Sequence, residues 1–99
     1  MIRFEWDPVK ALSNRRKHGF TFEDAVRVFG DPSAISELDR VEDGEIRWQI
    51  IGLFEGRSLL TVAYTVREEW PDDIFRIFSA RKATRKERRV YGETRQKNP

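Results

Sequence analysis

The chain contains no cysteine and a single histidine, and no apolar run is long enough to cross a bilayer. The missing thiols exclude disulfides, thiolate metal sites and a cysteine nucleophile. A lone imidazole offers no histidine pair for a metal, and the adjacent carboxylates of Asp72 and Asp73 diverge on an extended turn, so a metal-dependent nuclease centre is not expected. The six glycines are scattered. They form no loop that cradles a nucleotide's phosphates, and no Gly-x-Ser-x-Gly elbow presents a serine nucleophile. With neither a leader peptide nor a membrane span in view, the expectation is a cytoplasmic protein that uses no cofactor.

What the chain has is charge, unevenly spread. Residues 81–99 carry eight Lys/Arg against two Asp/Glu, net +6, whereas residues 1–80 carry eleven against fifteen, net −4. The formal charge of +2 therefore hides a polarised molecule. A basic segment on an otherwise acidic domain fits a polyanion or an acidic partner, and RNA or DNA is the first to consider. Ninety-nine residues, 38% of them hydrophobic and including seven Phe and three Trp, suffice for one core. The expected organisation is a single domain over residues 1–92 and a flexible tail over 93–99.

Local signals order the elements. Ile2 to Trp6 is a short strand candidate, closed by Asp7 as N-cap and Pro8 as first helical residue. The helix that follows is expected to run to His18 and stop at Gly19, with Arg15, Arg16, Lys17 and His18 at its negative dipole end. Thr21 and Asp24 cap a second helix, whose Phe22, Ala25, Val26 and Phe29 share one face. The period then becomes two. A weak strand is expected around 34–38, and a hairpin joins the Ile46–Ile51 and Leu60–Arg67 runs across Glu55 and Gly56. Ile74 to Ala80 makes a further strand. Thr84 and Glu87 form a capping box for a basic last helix expected to stop near Gly92. The fold class is α+β, with an antiparallel sheet of about four strands, two N-terminal helices and one basic C-terminal helix.

Three blocks, FEWDPVKALSNRRKHG at 4–19, FEDAVRVFGDP at 22–32 and FRIFSARKATRKERRVY at 75–91, resemble the BrnT family of bacterial type II toxins. The likeness spans nearly the whole chain, although 40–56 falls in a region that varies within the family. The resemblance implies a RelE-like fold, metal-independent cleavage of RNA, inhibition of translation and growth, and neutralisation by a BrnA-type antitoxin. It also implies contact with operator DNA only through the toxin–antitoxin complex.

Metal-free RNA cleavage requires the 2′-hydroxyl to attack the adjacent phosphorus while the protein holds the phosphate and moves two protons. Arginine suits the first task, because its planar fork binds two phosphate oxygens and stays charged. Arg67, Arg76 and Arg81, each in or beside an apolar strand, are the candidates. For proton transfer the candidates are Glu68, Lys17, His18 and Tyr91. Arg85, Lys86, Arg88 and Arg89 would bind RNA non-specifically, with Tyr91 as a further RNA-binding residue and Trp70 as a base contact.

Each residue has a structural alternative. His18 and Lys17 equally suit a helix C-terminus. Trp6 and Trp48 read as core, Glu68 and Glu69 as surface charge, and the cations of 85–89 as a solvated helix face. Strict alternation places Arg76 and Arg81 on opposite faces unless a bulge intervenes. The competing function is a non-catalytic module that binds nucleic acid or a partner through the basic helix.

Overall fold

The computed structural model describes residues 1–97. Among them, β1 (Ile2–Glu5) leads to α1 (Pro8–His18) and α2 (Phe22–Val28). The strands β2 (Ile35–Glu42), β3 (Glu45–Phe54), β4 (Ser58–Glu69) and β5 (Asp72–Lys82) follow, and α3 (Arg85–Lys97) closes the chain. The helix starts form as the local chemistry dictates. The Asp7 carboxylate accepts from the Val9 N–H at 2.8 Å, and Pro8 occupies the first turn, where a missing N–H is harmless. Gly19 ends α1 at φ 82°, and its N–H donates to the Arg15 carbonyl. Thr21 and Asp24 exchange side-chain and backbone bonds, both at 3.0 Å, to start α2.

The sheet corrects the expected topology. It has five strands in the order β1-β5-β4-β3-β2, and it is mixed, with β1 parallel to β5 and the other pairs antiparallel. The physical reason is the route of the chain. Helices α1 and α2 carry it from the β1 edge to the far edge, and the meander back brings β5 alongside β1 in the same direction. A four-residue strand has no sequence mark of so distant a partner. Strand β2 also outruns its expected span, turning into β3 through Asp43 and Gly44, both at positive φ. An Asp-Gly pair favours such a hairpin, so this signal was present in the sequence. Helix α3 passes Gly92 and continues to Lys97, where a stop near Gly92 and a tail from residue 93 were expected. One interior glycine costs only about 1 kcal/mol, too little to end a helix otherwise anchored. Residues 98 and 99 of the expected tail lie outside the described residues.

Alternation along the strands builds two clusters. On one face, Phe22, Ala25 and Val28 of α2 pack on Ile50, Leu60, Val62, Tyr64, Ile77 and Ala80, with Trp6 and Trp48 at the margin as expected. The other face gathers Ile51, Leu59, Ala83 and Tyr91 beneath α3. Gly52 lets α2 approach the sheet closely, since a Cβ there would lie 2.9 Å from Val28 Cγ1.

Two departures from regularity position the functional surface. Strand β1 covers β5 only as far as Arg76, and α1 seals the edge beyond it. The buried Asn14 amide donates to the Ala80 carbonyl at 2.9 Å, and its oxygen accepts from the Ala80 N–H at 3.1 Å, so one side chain replaces a missing strand. The second departure is a bulge. Ala63 pairs with Ser79 but Tyr64 pairs with Ile77, which leaves Phe78 as the extra residue of β5.

Candidate functional site

The bulge resolves the alternation conflict between Arg76 and Arg81. Arg76 is opposite Thr65 and Arg81 opposite Thr61, and alternation along β4 puts Thr61, Thr65 and Arg67 on one face. All three candidate arginines thus occupy the face that α3 partly covers. They do not converge, however. Thr61 and Thr65 are four residues apart, roughly 13 Å along the strand, and different glutamates hold the two groups of arginines.

In the first half of β5, where β1 runs beside it, Arg76 donates to Glu5 at 2.5 Å, and Arg67 donates to the same carboxylate at 3.1 Å and to Glu69 at 2.5 Å. The hydrogen bonds from Arg67 and then Arg76 hold the Glu5 carboxyl below its usual range. Glu68 points to the opposite face from Arg67, since neighbours on a strand diverge, so the proposed base is not beside that arginine.

Arg81 is tied more firmly. Its two terminal nitrogens donate to both oxygens of Glu87 at 2.8 and 3.0 Å, while Thr61 Oγ1 and the Thr84 N–H donate to the same carboxylate at 2.9 and 2.8 Å. The expected capping box is thus also the bolt that joins α3 to the sheet. The bidentate bond from Arg81 leads the forces that bring the Glu87 pKa down to about 2, although burial opposes it. A depressed carboxylate stabilises the fold above its unfolded pKa, and that stability is lost as pH falls from about 4.5 towards 2. Acid should accordingly remove about 1–3 kcal/mol through this group. Urea unfolding at pH 6 and pH 3 would show it, and Glu87→Gln should reduce the difference, leaving the part due to Glu5 and Asp31. An undiminished pH dependence in that variant would assign the acid sensitivity elsewhere.

Other candidates sort by exposure. Tyr91 is 5% exposed, and its hydroxyl donates to Asp31 at 2.7 Å, so it is a core residue rather than a surface contact for RNA. Burial raises the Asp31 carboxyl, but the N–H groups of Leu53 and Ser33, the Tyr91 hydroxyl and the Arg95 charge outweigh it and lower the pKa. Arg85, Lys86, Arg88 and Arg89 are exposed on α3, and Trp70 is 95% exposed at the β4–β5 turn.

Lys17 and His18 do meet a concave surface. A groove of about 210 Å³ lies between α1 and β5, lined by Lys10, Ser13, Asn14, Lys17, His18, Phe78 and Ser79. No carboxylate is among these residues. Lys10 Nζ sits 5.0 Å from the centre of the Phe78 ring, and the Arg47 guanidinium of β3 lies 4.5 Å from the same ring. Lys10, Arg47 and Phe78 were not singled out from the sequence. Lys10 was recoverable, because positions 10, 13, 14 and 17 follow the helical period onto one face of α1. Arg47 and Phe78 meet only through the bulge and the strand register, which leave no mark on the local sequence. Among the described residues, no group of three or more His, Asp or Glu side chains is arranged to hold a metal ion. No described helix is long and apolar enough to cross a membrane.

A five-stranded mixed sheet with helices on both faces, and a cation-lined groove where α1 meets β5, defines a small α+β domain with a concentrated basic surface. The chain belongs to the BrnT family of ribonuclease toxins of type II toxin-antitoxin systems, whose family model matches residues 6–87. Its fold is similar to that of the Brucella abortus ribonuclease toxin BrnT, solved at 1.1 Å resolution. That likeness has a TM-score of 0.65 and 23% identity, and covers 86% of this chain and 100% of the other. No curated protein matches the sequence.

Proposed function

We propose that this chain is a toxin that cleaves RNA without a metal, in the groove between α1 and β5, and that a BrnA-type antitoxin neutralises it. Family membership supports the toxin and ribonuclease parts of this reading. The observation that carries the location is the groove itself, where Lys10, Lys17 and His18 gather without a carboxylate. Arg67, Arg76 and Arg81 instead each donate to a glutamate, Glu5, Glu69 or Glu87, which offsets their charge.

In the proposed step the 2′-oxygen bonds to phosphorus as the bond from phosphorus to the 5′-oxygen breaks. One group takes the 2′-hydroxyl proton, another protonates the leaving 5′-oxygen, and the products end in a 2′,3′-cyclic phosphate and a 5′-hydroxyl. An imidazole can either accept or donate a proton, which suits His18 to one of these transfers. Lys17, its neighbour, brings positive charge to the phosphate as negative charge grows on its oxygens.

End-labelled naked RNA in excess EDTA tests the proposal. The expected result is cleavage that leaves 2′,3′-cyclic ends. Intact RNA both here and on translating ribosomes would overturn it in favour of a binding module. The exposed row Arg85, Lys86, Arg88 and Arg89 is the observation that favours that second reading. The antitoxin is expected to cover the groove and this row, because occlusion silences both cleavage and RNA attraction. Unchanged chemical reactivity of Lys10 and Lys86 in the complex would remove this part of the proposal.

A further inference from the structure

Arg47 differs from the other strand arginines of its face. Whereas Arg67, Arg76 and Arg81 donate to glutamates at 2.5–3.1 Å, the Arg47 guanidinium makes no hydrogen bond among the described residues. Its Nε is buried without a hydrogen-bond partner and makes only an ion pair, at 3.4 Å, with Glu42. The side chain is nonetheless held in place, being only 25% exposed and lying over the Phe78 ring. Stacking on an aromatic face restrains a guanidinium through its plane and leaves its in-plane N–H donors available.

The surroundings point to an anion. Arg40 stands directly opposite Arg47 in the β2–β3 register, a like-charge pairing that destabilises a sheet. Glu42 is shared between them, 3.2 Å from Arg40 and 3.4 Å from Arg47, and offsets only part of that charge. On the other side of the assembly Lys10 reaches the same ring from α1. Two cations from different elements therefore share one ring, and Lys10 also lines the groove that holds Lys17 and His18.

We infer that Arg47 and Lys10, positioned by Phe78, form a phosphate-binding subsite for the RNA strand beside the proposed cleavage groove. Arg47 supplies a planar fork that donates no hydrogen bond to a glutamate, and Lys10 supplies a point charge at the groove mouth. The inference rests on the groove as the site of RNA cleavage and adds the residues that grip the backbone there.

A 2′-deoxy oligonucleotide that cannot be cleaved separates the two claims. Its affinity for the full chain would be measured from 50 to 300 mM salt for the parent, Arg47→Gln, Lys10→Gln and Phe78→Leu, with the exposed Arg57→Gln as control. Loss of a charged hydrogen-bonding contact should weaken binding about tenfold in Arg47→Gln. Each of Arg47→Gln and Lys10→Gln should also lower the slope of log affinity against log salt by about 0.7, the value for one phosphate on a single strand. Phe78→Leu should weaken binding without changing the slope, because it displaces a cation and removes none. Lys10 is on an exposed helix face, so its variant remains informative if Arg47→Gln is unstable. Parental affinity and slope in Lys10→Gln and in folded Arg47→Gln would overturn the inference. Parental protein that binds with these effects but never cleaves RNA would leave the subsite standing and remove the ribonuclease reading instead.

Discussion

His18→Ala should reduce RNA cleavage by about 10²- to 10⁴-fold while the fold survives, the usual loss when a group that transfers a proton is removed. His18 is half-buried at the last turn of α1 and lines the groove, so it is placed for such a transfer and is not needed to fill the core. Single-turnover cleavage across pH 5–9 is the measurement. The parent should show a pH-dependent limb that the variant lacks, and Lys17→Ala should lower the rate without removing that limb. A histidine that served only the helix dipole would behave differently. It would cost about 0.3–1 kcal/mol of stability on removal and leave the pH profile unchanged. That second pattern would end the catalytic assignment.

Asn14→Ala should cost about 3 kcal/mol of stability. The side chain is 7% exposed and makes three hydrogen bonds, to Phe20 O at 3.0 Å, Ala80 O at 2.9 Å and from Ala80 N at 3.1 Å. Alanine would leave both backbone groups of Ala80 without a partner at a sheet edge closed to water, and each unsatisfied buried group costs about 1–3 kcal/mol. For a domain near this size, about 3 kcal/mol corresponds to a fall of about 12–24 °C in Tm. Thermal and urea unfolding would check it, and a fall below about 4 °C would mean that water replaces the amide. The same bonds fix α1 against β5, so Asn14 also holds the floor of the groove. Activity measured well below the variant's Tm should still fall, because Lys17 and His18 move with the helix that Asn14 anchors.

The parts of the fold legible in the sequence were those set by a few neighbouring residues. Asp7 with Pro8, Thr21 with Asp24, and Thr84 with Glu87 each mark a helix start that is present. Glu55 and Gly56 sit at the β3–β4 hairpin turn as expected. The weaker readings depended on contacts across the sheet. Nothing near Ile2–Glu5 specifies a parallel partner some seventy residues away, and Tyr91 in a basic segment reads as surface until α3 docks over Ile51 and Leu59. The candidate site was half legible. Lys17 and His18 lie in the groove, whereas the three arginines carry glutamate partners that sequence spacing does not reveal, with Glu5 and Arg76 seventy-one residues apart.

The sequence alone determined the helix caps, the order of most elements, the concentration of positive charge after Arg81 and the resemblance to BrnT toxins. These depend on short-range hydrogen bonding, side-chain period and residue counts, all independent of the final packing. Only the tertiary structure decided that β1 joins the sheet in parallel, that Asn14 closes the β5 edge, and that the Phe78 bulge turns Arg76 and Arg81 to one face. It also decided which arginines donate to a carboxylate, because that contact depends on distance in space, and the distance is set by strand register.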